Sequence, residues 1–187
     1  MKSIRSDPFR EGGDRYIPIM SRHPHHENPN PTSAEVHAHA AAARARKRAE
    51  AEEIGIDEDF IAQLVESFYA RIREDALLGP IFTARIADWP AHLDRMKGFW
   101  RSILHNSGEF AGNPMARHLA IPGLEEMHFA HWLELFYATL HELERQPAAT
   151  RLVGARARMI ADSLLTGIAM RKAGIGGARA GAGLPHV

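Results

Sequence analysis

In this chain of 187 residues, 23 Lys and Arg balance 23 Asp and Glu, so no broad electrostatic grip on nucleic acid or an acidic membrane is expected. Cysteine is absent, which removes disulfides, thiolate metal sites, thiol catalysis and iron–sulfur clusters together, and no run approaches the roughly 18 apolar residues of a membrane-spanning helix. The compositional excess is 12 histidines, and any metal must be held by His, carboxylate, Tyr or Met.

Residues 1–31 mix charge with Gly and Pro, as in Arg10-Glu11-Gly12-Gly13-Asp14 and Asn28-Pro29-Asn30-Pro31, and read as a disordered arm. They hold no apolar stretch of secretory-signal length, so the cytoplasm is the expected location. Thr32-Ser33-Ala34-Glu35 fits a capping box, and the Ala/Arg/Glu-rich run to Glu53 predicts a solvated helix that packs weakly, completing an N-terminal extension over residues 1–54. From Ile56 the texture changes. Phe60, Leu64, Phe68 and Ile72, with Ile61, Val65 and Tyr69 beside them, form the stripe of an amphipathic helix that Asp57 caps and Leu78-Gly79-Pro80 ends. A second stripe through Trp89, His92, Met96, Phe99, Trp100 and Ile103 predicts a helix over residues 88–105.

Residues 108–114 are turn-rich and lead into a short segment at residues 115–120 that Pro122-Gly123 terminates. Phe129, Trp132, Leu133, Phe136 and Leu140 mark a helix over residues 124–145, and Leu152, Met159, Ile160, Leu164 and Ile168 another over residues 148–171, with Pro147 between them. With no hairpin dipeptide and no Gly-rich phosphate loop, the chain reads as all-α, a single domain over residues 55–172 followed by a disordered Gly/Ala-rich tail over residues 173–187.

Metal motifs are the first chemistry to test. His141-Glu142 opens like a zinc-protease helix, but Arg145 stands where the second ligand belongs. Glu125-x-x-His128 matches half of a di-iron bundle with no second copy, and His128-x-x-His131 has spacing that mostly occurs without metal. His23-Pro24-His25-His26 and His37-x-His39 read more simply as solvated polar segments than as loose metal sites.

Two histidines have a more specific setting. His92 lies on an aromatic and thioether stripe with Met96 one turn on; the plain reading is a satisfied core histidine, the sharper one a ligand-site residue. His118 occupies a short segment squeezed between Pro114 and Pro122, with little apolar periodicity to explain burial, which fits a ligand mount. Tyr69 and Trp132 each bring a donor to an apolar face, and Phe82 follows a tight turn; ordinary core packing accounts for each singly. Together they have the composition of an apolar cavity with a few hydrogen-bond donors.

Four motifs in order then resemble group III of the truncated haemoglobins. They are Phe68-Tyr69-x-x-Ile72-Arg73-x-Asp75-x-x-Leu78-Gly79-Pro80-Ile81-Phe82, Asp88-Trp89-x-x-His92-Leu93-x-x-Met96-x-x-Phe99-Trp100, Gly112-x-Pro114-x-x-x-His118 and His128-Phe129-x-x-Trp132-Leu133-x-Leu135-Phe136. The resemblance covers most of residues 56–170 and implies a globin-like two-over-two helical sandwich. It implies a non-covalent haem b with His118 as proximal iron ligand and Phe82 packed on the haem face. Tyr69 and Trp132 match the distal donors to bound O₂, His92 the distal histidine and Met96 the apolar residue one turn along. The chain departs from the family in its N-terminal extension and its tail.

On that resemblance the expected function is binding of O₂, NO or CO at a haem iron. Redox chemistry such as NO oxidation to nitrate or peroxide reduction would need a separate reductase, because no nicotinamide- or flavin-binding motif accompanies the core. The alternatives are a gas sensor or partner-binding module acting through the N-terminal extension, and a haem-free helical protein whose histidines are structural.

Overall fold

A computed structural model describes residues 32–143, 145–173 and 183–187, so the expectations for the arm at residues 1–31 and for most of the tail lie outside the described residues. The described residues form seven helices and no strand: α1 Ser33–Glu53, α2 Glu58–Glu74, α3 Gly79–Thr83, α4 Trp89–Leu104, α5 Pro114–Leu119, α6 Glu126–Glu142 and α7 Pro147–Ala173. Packing of α2 on α4 and of α6 on α7, with α2 also against α6, builds the two-over-two sandwich.

Local chemistry sets the boundaries. The Asp57 carboxylate accepts from the Phe60 N–H at 2.7 Å and starts α2, and Asp88 does the same for α4 through the Ala91 N–H at 3.0 Å. At the other end of α2, Asp75 Oδ1 accepts from the N–H groups of Leu77 and Leu78, at 3.0 and 2.7 Å, and draws the chain out of the helix. Helix α2 therefore stops at Glu74, four residues before the Leu78-Gly79-Pro80 stop, and those residues start α3 instead. Proline in the first turn suits this start, since its missing N–H has no helical partner there.

The buried face of α2 is the predicted stripe, with Phe60, Ile61, Leu64, Val65, Phe68 and Ile72 all sealed from solvent. Phe136 of α6 is its counterpart: its ring stacks on Trp100 and Trp132 and meets Phe68 edge-on, at 5.1, 5.1 and 5.2 Å between centroids. Helix α7 turns Ala149, Val153, Gly154, Ala157 and Ala161 inward, small residues that let it lie close to α6. His105 is buried at the end of α4, and its Nε2–H donates to the Ile56 carbonyl at 2.7 Å, tying α4 to the α1–α2 junction. It, and not His92, is the satisfied core histidine.

Helix α1 is exposed along nearly its whole length and buries only Ala51. The end of the chain behaves differently from the disordered tail expected there. Leu184 is 2% exposed, the Tyr137 hydroxyl donates to the Pro185 carbonyl at 3.1 Å, and Arg158 donates to the Leu184 carbonyl. Val187 fills the space beside Gly154, where any side chain on residue 154 would collide with it. The Gly/Ala composition conceals this contact, because its drive comes from two apolar side chains at the far end.

Candidate functional site

The site is assembled around Tyr69. This residue belongs to the buried face of α2, and its ring lies 5.0 Å from that of His92 on α4 and 5.9 Å from that of Phe82 on α3, both edge-on. Phe68 links the group to Trp132 on α6, with centroids 5.2 Å from both Tyr69 and Trp132. Met96 sits one turn beyond His92, partly buried against the same core. Tyr69, Phe82 and His92 thus touch directly, while Trp132 joins them through Phe68.

The polar tips of this cluster share a property. Nε2 of His92 is buried with no hydrogen-bond partner. The Tyr69 hydroxyl and the Trp132 indole N–H likewise take no protein partner among the described residues. Burial pushes the Tyr69 hydroxyl far above its ordinary pKa, so it stays a neutral donor. Burial, aided by the nearby Arg95 charge, pulls His92 below its ordinary value and keeps the imidazole neutral. An unsatisfied buried polar group is costly in a folded protein, and the unpartnered His92 Nε2 in this aromatic cluster marks a place suited to a polar guest.

His118 stands apart from these residues, on α5. Asn113 caps that helix by accepting from the Ala116 N–H at 2.9 Å, and Pro114 supplies its first turn. The His118 Nδ1–H donates to the Pro114 carbonyl at 2.8 Å, which fixes the tautomer and leaves the Nε2 lone pair available to a metal. Its ring lies 6.3 Å from Phe129, one turn before Trp132 on α6. Helix α5 is seated on α7 by Met115, whose thioether rests against Gly167. A bidentate pair from Arg101 to Glu109, both contacts 2.8 Å, braces the loop that leads into it.

These residues fit a haem. One histidine has a fixed tautomer and a free Nε2, and the aromatic cluster holds the buried, unpartnered Nε2 of His92. Two shallow clefts of about 330 Å³ each lie elsewhere, one around His141, Arg145 and Arg151, the other between α4 and the loop at Glu109. His23-Pro24-His25-His26 lies outside the described residues, and the paired motifs of α6 take protein partners instead. His128 Nδ1 accepts from the Glu125 N–H at the start of α6, so Glu125-x-x-His128 is a helix cap, and His131 turns instead to Asp75.

Trp89 is a site residue that its place in the stripe alone did not single out. Its ring lies 6.0 Å from His92 and 6.3 Å from Tyr69, and the Arg73 guanidinium covers it at 5.1 Å. The spacing of three residues before His92 was the available signal.

A helical sandwich carrying one short-helix histidine and a neutral cluster of Tyr, His and Trp is the architecture of a small globin. The chain is 34% identical over 111 residues to the group 3 truncated hemoglobin ctb of Campylobacter jejuni, spanning 57% of this chain and 87% of the relative. It also superposes on the crystal structure of a group III truncated hemoglobin from Campylobacter jejuni with a TM-score of 0.58 and 31% identity, covering 66% of this chain and 96% of that one. No family model matches the sequence. The chain belongs to the group 3 truncated haemoglobins.

Proposed function

We propose that this chain is a haem b protein that binds a diatomic gas, O₂ and also NO or CO, between a proximal His118 and a distal set of Tyr69, His92 and Trp132. The observation that carries the reading is the buried His92 Nε2, left without a partner in a cluster otherwise made of aromatic rings. When bound, haem supplies a ferrous iron that accepts a gas molecule and shifts electron density onto it. His118 would hold the iron through Nε2, with the Pro114 carbonyl raising the basicity of the ring. Phe82 and Met96 supply apolar contact and exclude water. Tyr69, His92 and Trp132 are placed to meet developing negative charge with hydrogen bonds in a dry setting, where such bonds gain strength.

Strong distal donation suits ligand retention and redox use better than bulk carriage. Oxidation of NO to nitrate or reduction of peroxide would consume electrons at each turnover, so repeated turnover would require an electron donor on another protein. A sensor role through the N-terminal extension draws support from α1, whose 21 residues are almost wholly exposed.

The deciding experiment is the visible spectrum of the purified ferrous protein with and without O₂. A Soret band that shifts with O₂ and is lost in His118→Ala supports the reading, and a colourless protein after haem reconstitution refutes it. Nitrate formed per haem on rapid mixing of the oxygenated protein with NO separates NO oxidation from simple binding. Deleting residues 1–53 should leave the spectrum intact while abolishing a partner interaction if the chain is a sensor.

A further inference from the structure

His131 precedes Trp132 on α6, and its ring lies between two carboxylates. Nε2 is 2.7 Å from Asp75 Oδ2 and Nδ1 is 3.4 Å from Glu134 Oε2. Asp75 cannot easily turn away, because its other oxygen already accepts the N–H groups of Leu77 and Leu78 that bend the chain from α2 into α3. The pair is also sheltered, with the His131 and Asp75 side chains 32% and 14% exposed. One contact therefore joins three elements of the site: α2, which bears Tyr69; the corner leading to α3, which bears Phe82; and the turn of α6 that bears Trp132.

We propose that His131 is a pH-sensitive positioning residue for Trp132, docking its turn of α6 onto Asp75 more firmly when the imidazole is protonated and so slowing ligand release in acid. The chemistry lies in the two ring nitrogens. As an imidazolium both carry hydrogens and both donate, one to each carboxylate. As a neutral ring one nitrogen offers a lone pair to a carboxylate, and the geometry on that side is repulsive. The charged groups that act on the ring are Asp75, the C-cap of α2, and Glu134 from α6 itself. Both pull in one direction, since the hydrogen bond to Asp75 and then that to Glu134 outweigh partial burial and hold the imidazole above its ordinary pKa. Burial of Asp75 would raise its own pKa, but the Leu78 N–H and His131 hold it below the ordinary value, so it remains the anionic partner throughout.

The sign follows. With His131 raised, the docked state is complete below the ordinary histidine range and fades as pH climbs through the elevated value. Trp132 would then be held most firmly at mildly acidic pH.

The proposal rests on the haem reading for its functional consequence, although the latch itself does not. In the full-length protein, O₂ dissociation measured from pH 5.5 to 8.5 should slow about two- to fivefold toward acid, the scale of a part-exposed ion pair. His131→Gln, which keeps an amide donor toward Asp75 and cannot titrate, should flatten the profile, and Trp132→Phe should reduce it strongly. A profile unchanged in His131→Gln overturns the proposal, as does one that flattens there yet survives intact in Trp132→Phe. Tryptophan emission followed over the same pH range gives a readout independent of haem: it should titrate in the parent and not in His131→Gln or Trp132→Phe. Emission that titrates equally in all three overturns the latch. A protein that binds no haem but shows the expected emission pattern refutes the functional reading and leaves the latch standing.

Discussion

Tyr69, His92 and Trp132 show that one environment can make three different side chains into neutral donors. Burial raises the Tyr69 hydroxyl and lowers His92, so neither is charged at neutral pH, and the indole N–H has no alternative. Removing the donor in Tyr69→Phe or Trp132→Phe should speed O₂ release about ten- to a hundredfold, because a hydrogen bond to a charged group contributes roughly 1.5–3 kcal/mol. Stopped-flow displacement of O₂ by CO checks this, and unchanged rates in both variants would refute the distal assignment. His92 offers a second test with opposite signs. Its buried Nε2 lacks a partner in the protein itself, so His92→Leu should raise the stability of the ligand-free protein by about 1 kcal/mol in urea unfolding while accelerating ligand loss. His118→Ala should abolish stable haem retention, read as loss of the Soret band; loss in His92→Ala with retention in His118→Ala would reverse the two faces.

At the scale of elements, the helices that carry the site are held by very different means. The α6–α7 contact depends on a stripe of small side chains, and Ala157 is fully buried within it. Ala157→Leu should cost about 1–3 kcal/mol by overpacking, measured as a lower urea midpoint at constant m-value. The short α5 leans instead on polar bracing. Glu109 is held down to about 2, first by its hydrogen bond from Arg101, against an ordinary 4.5. Because this pKa is lowered in the folded state, the brace is fully present above pH 4.5 and is lost as pH falls through about 2. Exposure of both side chains limits its worth to below about 1 kcal/mol. Glu109→Gln should therefore barely change the melting temperature at neutral pH, yet it should hasten haem loss to an apo-myoglobin acceptor, since it loosens the loop that presents His118.

For the molecule as a whole, the extension and the terminal residues make opposite predictions. Helix α1 buries only Ala51, and its salt bridges, such as Arg46 to Glu50, are exposed ones. A chain starting at Glu53 should fold, keep the full Soret spectrum and melt within a few degrees of the parent. Residues 183–187 are few, yet Leu184 anchors them in the core. Leu184→Ala should cost about 2–5 kcal/mol, the range for a buried leucine, and would weigh more on stability than loss of the whole of α1.

The amphipathic stripes made the long helices of the sandwich legible, because helices α2, α4, α6 and α7 each show a face to the core at a helical period and most have capping signals at their ends. The short segment of α5 was legible too, as a proline-bounded element with one histidine and little other purpose. What spacing left open was which histidine had a partner. His92 and His105 lie on the same helix and its cap, yet only the approach of the Ile56 carbonyl satisfies His105, and His92 Nε2 has no hydrogen-bond partner. Likewise Glu125-x-x-His128 and His128-x-x-His131 resembled ligand pairs until folding gave each histidine a separate protein partner. The periodic pattern determined the buried faces of α2 and α6, since burial follows the local repeat of the chain, whereas on α7 the expected stripe misses in part: Met159 is exposed and the buried face runs through Ala149, Val153, Ala157 and Ala161. Tertiary structure alone decided which polar tips were paired, since partners such as Ile56 for His105 and Asp75 for His131 lie 49 and 56 residues away and meet only when the helices pack.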